Sequence, residues 1–267
     1  ISGGLTNQNL LIETDEGEKF VARLLGKDTD MFGIDRKTEH AISRAAWEIG
    51  IAPEPVSFLS GHEILVTRFV EGFPIDTNDP VTIRNVARLL HQLHSAPEVQ
   101  GVFNLPSVID DYIATAKRFN VTHPDKLSEA LEFSAKIISA MGSCEKVSAP
   151  CHNDLLPANF LQSRDQLYLL DWEYAGMGHP YVDLGNCAVN FCMDETACTI
   201  FMESYLGRKP STAEMAQLHL LRVLSDLREA MWACVQIGIS TLDVDFHAYE
   251  MKHLNRFLQN AKSTELQ

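Results

Sequence analysis

The chain has 267 residues, of which 45% are hydrophobic and 22% are charged, a composition typical of an ordinary globular protein. Asp and Glu total 36 against 22 Lys and Arg, so the net charge is −14, and such a surface would repel the phosphate backbone of a nucleic acid. The apolar runs are all interrupted well before the roughly 20 residues that a membrane-spanning helix requires, so we expect no membrane span.

The six cysteines show none of the two-residue spacings of a zinc site. Several lie in apolar stretches, where small buried thiols are common. The sequence opens without a basic-then-apolar signal segment, although it begins at Ile1 rather than Met. We therefore expect a cytoplasmic protein with reduced thiols.

The first part of the chain is predicted to be rich in β-strands. Short apolar runs with turn residues between them predict two hairpins, one from 10–12 and 20–25 and the other from 55–59 and 63–69. Between the hairpins, the segment 35–50 repeats apolar residues at helical spacing and stops at a glycine. We assign residues 1–75 to a small β-rich N-lobe that carries one helix.

Helical patterns dominate the rest of the chain. Amphipathic faces are found in six segments, 81–93, 107–119, 126–141, 196–206, 212–237 and 246–261. One β interruption lies at 160–161 and 167–171, with turn residues between. We therefore expect an α+β protein, with a mainly helical C-lobe at residues 76–267.

Three oxygen-bearing side chains around this β interruption suit phosphoryl transfer. Asp154 could accept the proton of an attacking hydroxyl, and the amide oxygen of Asn159 could bind Mg²⁺, which takes hard oxygen ligands. Asp171, beyond the hairpin, could complete the metal site. Taken singly, Asp154 could be a helix cap and Asp171 a turn residue. Together, the three favour a kinase site.

The motif HND at His152, followed by Asn159, LDWEYAG and YVDLGN, resembles the catalytic loop and metal segment of choline/ethanolamine kinases and aminoglycoside phosphotransferases. The resemblance covers nearly the whole chain. It implies a protein-kinase-like bilobal fold with ATP and Mg²⁺ as cofactors. It also implies Asp154 as catalytic base, Asn159 and Asp171 as Mg²⁺ ligands, and His152 as a scaffold residue of the loop.

The first residues of the chain resemble the phosphate-covering loop of choline kinases. Backbone N–H groups of Gly3 and Gly4 could approach phosphates, and Thr6 and Asn7 could add side-chain donors. A pair of glycines is also typical of an ordinary turn.

Arg23 is a lone cation in an apolar strand, and a buried cation needs a partner. Glu39 on the following helix is the natural candidate. The resemblance assigns this pair to a clamp on the nucleotide phosphates, with Arg in place of the Lys of protein kinases; the alternative is a surface ion pair. The backbone from Arg68 to Val70 resembles the hinge that binds adenine.

The C-terminal part resembles choline kinases more than aminoglycoside enzymes. In that family an aromatic and acidic pocket holds a quaternary ammonium. Trp232 falls on the matching aromatic position, and Asp183 matches a buried acidic position of the family near the acceptor. Glu173 and Tyr174 follow the metal segment closely enough to face the same cleft. Trp232 could instead be a core residue, and Asp183 could cap a helix.

Two residues depart from the choline-kinase pattern. Glu229 stands where a second tryptophan is usual, and Asn190 stands at an acidic position. A carboxylate at position 229 suits a primary ammonium, which donates hydrogen bonds. The expected acceptor is therefore a small cationic alcohol, either choline or ethanolamine.

Other acceptors and classes remain open. Thiamine-type cations, aminoglycosides and sugars are alternatives within the fold, and a non-catalytic binding module is a further one. His91 and His94, spaced for a helix, are interpreted as a partly exposed helical face and not as a metal site. The sequence leaves the oligomeric state undecided.

Overall fold

The computed structural model describes residues 7–24, 29–59, 61–62, 64–122, 124–141, 149–164 and 166–263. The strands in these residues are β1 (Gln8–Glu13), β2 (Lys19–Leu24), β3 (Pro55–Leu59), β4 (Ile64–Arg68), β5 (Phe73–Pro74), β6 (Ala149–Cys151), β7 (Phe160–Ser163), β8 (Gln166–Leu169) and β9 (Gly176–Gly178). The α-helices are α1 (Arg36–Glu48), α2 (Pro80–His94), α3 (Leu105–Arg118), α4 (Leu127–Met141), α5 (Pro180–Asn190), α6 (Glu195–Leu206), α7 (Thr212–Ile239) and α8 (Phe246–Ser263).

The first part of the chain is a four-stranded antiparallel sheet in the order β1-β2-β4-β3, with α1 packed beside it. Both predicted hairpins are present, as β1–β2 and β3–β4. The side chain of Asp35 accepts the N–H of Lys37 and starts α1. Gly50 follows the helix at a φ of 80°, a backbone conformation that glycine adopts readily.

The larger part of the chain is mainly helical, as predicted. The six predicted helices are present as α2, α3, α4, α6, α7 and α8, with ends displaced by a few residues. Helix α5 was not among the six predicted segments, although a helix was considered after Asp183, and the strands β5, β6 and β9 were not predicted. Those strands have only two or three residues, which is too short for an alternating pattern to emerge.

Two small sheets frame the predicted catalytic segment. The predicted hairpin β7–β8 gains β5 as a third strand, just before the predicted lobe boundary. Strand β6 pairs with β9, so that Cys151 lies opposite Gly176. This pair therefore holds together the two ends of the segment 152–175.

Helix α7 is the central element of the helical part. It packs against α3, α5 and α8, and most of its residues between Val223 and Gln236 are buried. Asp226 joins it to α8, because its carboxylate accepts hydrogen bonds from the His253 ring (2.9 Å) and from Arg256 Nε (2.8 Å). Polar residues of α7 thus reach the protein interior.

The described residues were compared with the expectations for membrane spans and for cysteines. None of the helices there combines the length and the apolar character needed to cross a bilayer. The five cysteines in those residues form no disulfide. Cys144 lies outside them.

Gly185 of α5 lies directly against the backbone of α7. A Cβ at this position would be 2.6 Å from the Arg222 nitrogen and from the Leu221 carbonyl carbon. We expect Gly185→Ala to lower the free energy of unfolding by about 1–3 kcal/mol and the Tm by several degrees in a thermal melt. The control is Gly61→Ala, whose Cβ meets nothing within 4 Å. Equal melting of Gly185→Ala and the parent protein would contradict this close approach.

Candidate active site

His152 links the loop after β6 to the segment that precedes Asp171. Its ring is fully buried; Nε2–H donates to the Leu170 carbonyl (2.9 Å), and Nδ1 accepts the backbone N–H of Asp154 (3.2 Å). These partners assign the neutral ring, and burial lowers the pKa of His152 to about 4. The geometry matches the predicted scaffold position.

Helix α5 holds the backbone of this loop. The carboxylate oxygens of Asp183 accept the N–H groups of His152 (2.8 Å) and Asn153 (2.7 Å). Asn186 accepts the N–H of Leu155 (2.6 Å). Asn153 has a positive φ of 65°, an uncommon conformation that these hydrogen bonds maintain.

Several predictions about α5 are wrong. Asp183 is fully buried and its oxygens bind the loop, so it does not face an acceptor. It is also not a cap, because α5 begins at Pro180 and the ring of His179 is the cap. Asn190 donates to the Leu155 carbonyl (3.3 Å), behind the loop and not in an acceptor pocket.

His94 supports the same loop from α2; of the predicted partly exposed pair, His91 is exposed, whereas the side chain of His94 is buried. Its side chain is 3% exposed, and its ring forms hydrogen bonds with Asp183 Oδ2 (3.0 Å) and with the Tyr205 hydroxyl (2.9 Å). His94, Cys151 and Asp183 place three possible metal ligands within 4.8 Å of one another. However, both ring nitrogens of His94 and both carboxylate oxygens of Asp183 already have hydrogen-bond partners within the protein. Structural support is therefore the better interpretation.

The β7–β8 hairpin brings together the chain segments that carry Asn159 and Asp171. Asn159 Nδ2 donates to the carbonyl (2.8 Å) and Oδ2 (3.3 Å) of Asp154, and the Leu170 N–H donates to the Asn159 carbonyl (2.8 Å). With its amide nitrogen engaged, Asn159 has Oδ1 left to offer a cation. One carboxylate oxygen of Asp171 accepts a hydrogen bond from Arg23. Two hard oxygen donors at this place fit Mg²⁺.

A buried ionic network joins α1 to the segment after β8. Arg23 is 8% exposed and pairs with both Glu39 and Asp171, so the predicted Arg23–Glu39 contact is present. Arg36, which the sequence analysis missed, donates to Glu39 (2.7 Å) and Glu173 (3.1 Å). Burial lowers the pKa of Arg23 to about 10, which still leaves it charged at neutral pH.

The predicted phosphate loop is described only at its end. Asn7 Nδ2 donates to Glu173 Oε2 (3.0 Å), so the start of β1 reaches the segment after Asp171. Gly3, Gly4 and Thr6 lie outside the described residues.

Part of the backbone of the predicted hinge is already hydrogen-bonded to neighbouring residues of the chain. The N–H groups of Arg68 and Phe69 donate to the carbonyls of Glu54 and Lys19. The Arg68 side chain also binds Glu54 (2.8 Å) and lies at the surface. The Arg68 N–H is therefore already bonded, and the adenine contact of the segment from Arg68 to Val70 stays a prediction.

An aromatic and acidic cluster lies where the acceptor pocket was predicted. Trp232 Nε1–H donates to the Tyr174 hydroxyl (3.2 Å), and the Tyr249 hydroxyl donates to Glu229 (2.8 Å). The Trp232 ring also packs against three core rings, those of Phe32, Phe246 and Tyr249. Trp232 thus belongs to the core and to this cluster at once, and Tyr249 is a member that the sequence analysis missed.

Arg228 was also missed. It is 3% exposed, its Nη1 lies 3.0 Å from Glu229 and 3.7 Å from Asp154, and its guanidinium lies 4.8 Å from the centre of the Tyr174 ring. Burial acts to lower the pKa of Arg228, but the nearby acidic groups outweigh it and the pKa lies above its usual value. The charged residues Asp226 and Glu229 on either side of it conceal its burial in the sequence.

Asp154 lies between these charges. Burial raises the pKa of its carboxyl group, the charge of Arg228 opposes that rise, and the charges of Glu229 and Glu173 add to it. A carboxylate with a raised pKa is a stronger base than an exposed one. The surroundings therefore suit proton acceptance.

The buried ring of His152 predicts a loss of stability in acid. Its folded pKa of about 4 lies below the ordinary 6.5, so below pH 6.5 the unfolded chain binds a proton that the folded chain excludes. As pH falls from 6.5 to 4, we expect this ring to remove about 3 kcal/mol of the free energy of unfolding. Urea unfolding across this range, compared with His152→Asn, measures the difference.

The control is His62→Asn, because the His62 side chain is exposed and should leave the pH profile unchanged. If His152→Asn and the parent protein show the same pH dependence, the neutral buried ring is disproved.

Comparison with known proteins adds to this geometry. A family model described as "Phosphotransferase enzyme family" matches residues 1–224. Protein LicA of Haemophilus influenzae is 27% identical over 216 residues, 77% of this chain but only 62% of that protein, so the chain spans less than two thirds of this relative. Mouse ethanolamine kinase 1 is 23% identical over 301 residues, 96% of this chain and 81% of that protein.

Among solved structures, choline kinase LicA from Streptococcus pneumoniae has a TM-score of 0.83 at 22% identity, with 98% of this chain and 92% of that chain covered. The two-lobed, protein-kinase-like fold is therefore shared. Since the family model covers most of its residues, the chain belongs to the phosphotransferase enzyme family.

Proposed function

We propose that this protein is an ATP-dependent kinase that transfers the γ-phosphoryl group to the hydroxyl of a small cationic alcohol, choline or ethanolamine. The observation that carries the proposal is the placement of Asp154 on a loop fixed by Asp183, with Asn159 hydrogen-bonded to Asp154 and Asp171 just beyond the β7–β8 hairpin that follows Asn159. Family membership and relatives named as choline and ethanolamine kinases support it.

Each side chain of the loop has a task in this reaction. Asp154 accepts the proton of the acceptor hydroxyl as its oxygen attacks the γ-phosphorus and the bond to ADP breaks. Asn159 and Asp171 would hold Mg²⁺, which neutralises charge on the phosphates. His152 and Asp183 keep the loop in place throughout.

The nucleotide belongs on the side of the small sheet. Arg23, oriented by Glu39, would bind the phosphates together with Asn7 and the glycines at positions 3 and 4, and Val70 would bind adenine. The acceptor belongs on the opposite side of Asp154, where Tyr174, Glu229 and Trp232 meet. The free thiols of the five described cysteines support a reducing compartment, so we place the reaction in the cytoplasm.

The reaction and the base are tested together. With Mg²⁺ and ATP, release of ADP is measured with choline, ethanolamine, thiamine and kanamycin as acceptors, and we expect turnover with choline or ethanolamine. Asp154→Asn is expected to lower kcat by roughly 10²- to 10⁴-fold, while calorimetry still detects ATP binding. The matched control is Asp111→Asn, an exposed aspartate on α3. Turnover of kanamycin alone would refute the acceptor, and unchanged turnover in Asp154→Asn would refute the base.

The phosphate clamp is tested by Arg23→Met. Losing a charge-assisted contact to phosphate should raise the KM for ATP by about 10- to 100-fold and leave the KM of the acceptor unchanged. Arg44→Met is the control, since Arg44 pairs with Glu48 on the exposed face of α1. A raised acceptor KM with an unchanged ATP KM would place Arg23 in a different role.

A further inference from the structure

The contacts of Arg228 are those that a cationic ligand would make. Its guanidinium lies over the Tyr174 ring (4.8 Å to the centre), beside the ring of Phe103 (5.8 Å), and 3.0 Å from a Glu229 oxygen. Aromatic faces and carboxylates are the two groups that proteins use to recognise ammonium head groups. The chain thus brings its own cation to the place where the acceptor's cation was expected.

The groups nearest Asp154 are engaged as a result. One oxygen of Glu229 binds Arg228 and the other accepts the Tyr249 hydroxyl (2.8 Å). The Tyr174 ring is covered by Arg228, and its hydroxyl accepts Trp232 Nε1–H (3.2 Å). A trimethylammonium group donates no hydrogen bonds and depends on aromatic faces. It would find the Tyr174 face already covered.

A primary ammonium meets different conditions. Its N–H groups can donate to carboxylate oxygens that already hold another donor, because each oxygen has two lone pairs. Asp154 and Glu229 supply such oxygens within 3.7 Å of Arg228.

We propose that Arg228 is a specificity-determining residue that admits alcohols bearing a hydrogen-bonding primary ammonium and excludes those bearing a trimethylammonium group. This inference rests on the proposed kinase function and narrows its acceptor. Arg228 also approaches Asp154, so its removal is expected to lower turnover of every acceptor. The ratio between two acceptors cancels that shared effect and isolates selectivity.

The test compares kcat/KM for ethanolamine and choline in the parent protein, Arg228→Met and Arg228→Lys. We expect kcat/KM of the parent protein to be at least tenfold higher for ethanolamine than for choline. Arg228→Met should reduce this ratio at least tenfold, through a lower KM for choline. Arg228→Lys should keep the ratio of the parent. The matched control is Arg222→Met, on the same helix and beside Cys198 (3.7 Å), which should keep the parent ratio. A parent that favours choline, or an Arg228→Met ratio equal to the parent's, overturns the proposal.

Calorimetric binding of tetramethylammonium chloride tests whether Arg228 excludes a quaternary ammonium, and this measurement does not depend on enzymatic activity. We expect binding by Arg228→Met and at least tenfold weaker binding by the parent; equal affinities overturn the proposal. If neither acceptor is phosphorylated, the kinase assignment fails while this measurement still decides on Arg228. Should Arg228→Met melt before it can be measured, Arg228→Gln replaces it in both assays with the same expectations.

Discussion

The site depends on one buried carboxylate. Asp183 gives its oxygens to the N–H groups of His152 and Asn153, and so fixes the loop that carries Asp154. Burying a carboxylate is costly unless hydrogen bonds replace its water, and here two backbone donors and the His94 ring do so. Each of these donors would in turn be orphaned without it. The loop can therefore hold Asn153 at a positive φ.

Two buried arginines extend this arrangement to either side of Asp154. Arg23 connects α1 to Asp171 on the side of the small sheet, and Arg228 connects α7 to Asp154 on the helical side. Both are almost fully buried, and both are surrounded by carboxylates, which offsets the cost of removing a guanidinium from water. Arg23 and Arg228 therefore supply the positive charge on the two sides of Asp154.

Local patterns in the sequence predicted the hairpins, the long helices and the Arg23–Glu39 contact, because each follows from the period of a strand or helix or from an isolated charge. The position of Asp183 could not be predicted in this way. Its partners lie 30 and 31 residues earlier, and only the packing of α5 under the loop brings them together. Arg228 escaped notice because its neighbour Glu229 made the pair resemble an exposed helical face, whereas α7 is buried there.

The residues that we propose for the transfer and those that we propose for the choice of acceptor belong to different elements. The loop with Asp154 and Asn159 is anchored by α5, whereas Arg228 and Glu229 come from α7. A substitution of Arg228 alters the charge beside Asp154 and removes none of the hydrogen bonds of Asp183. Under the proposed function, selectivity can therefore change while the loop that carries Asp154 stays the same, and one fold can serve alcohols of different charge and size.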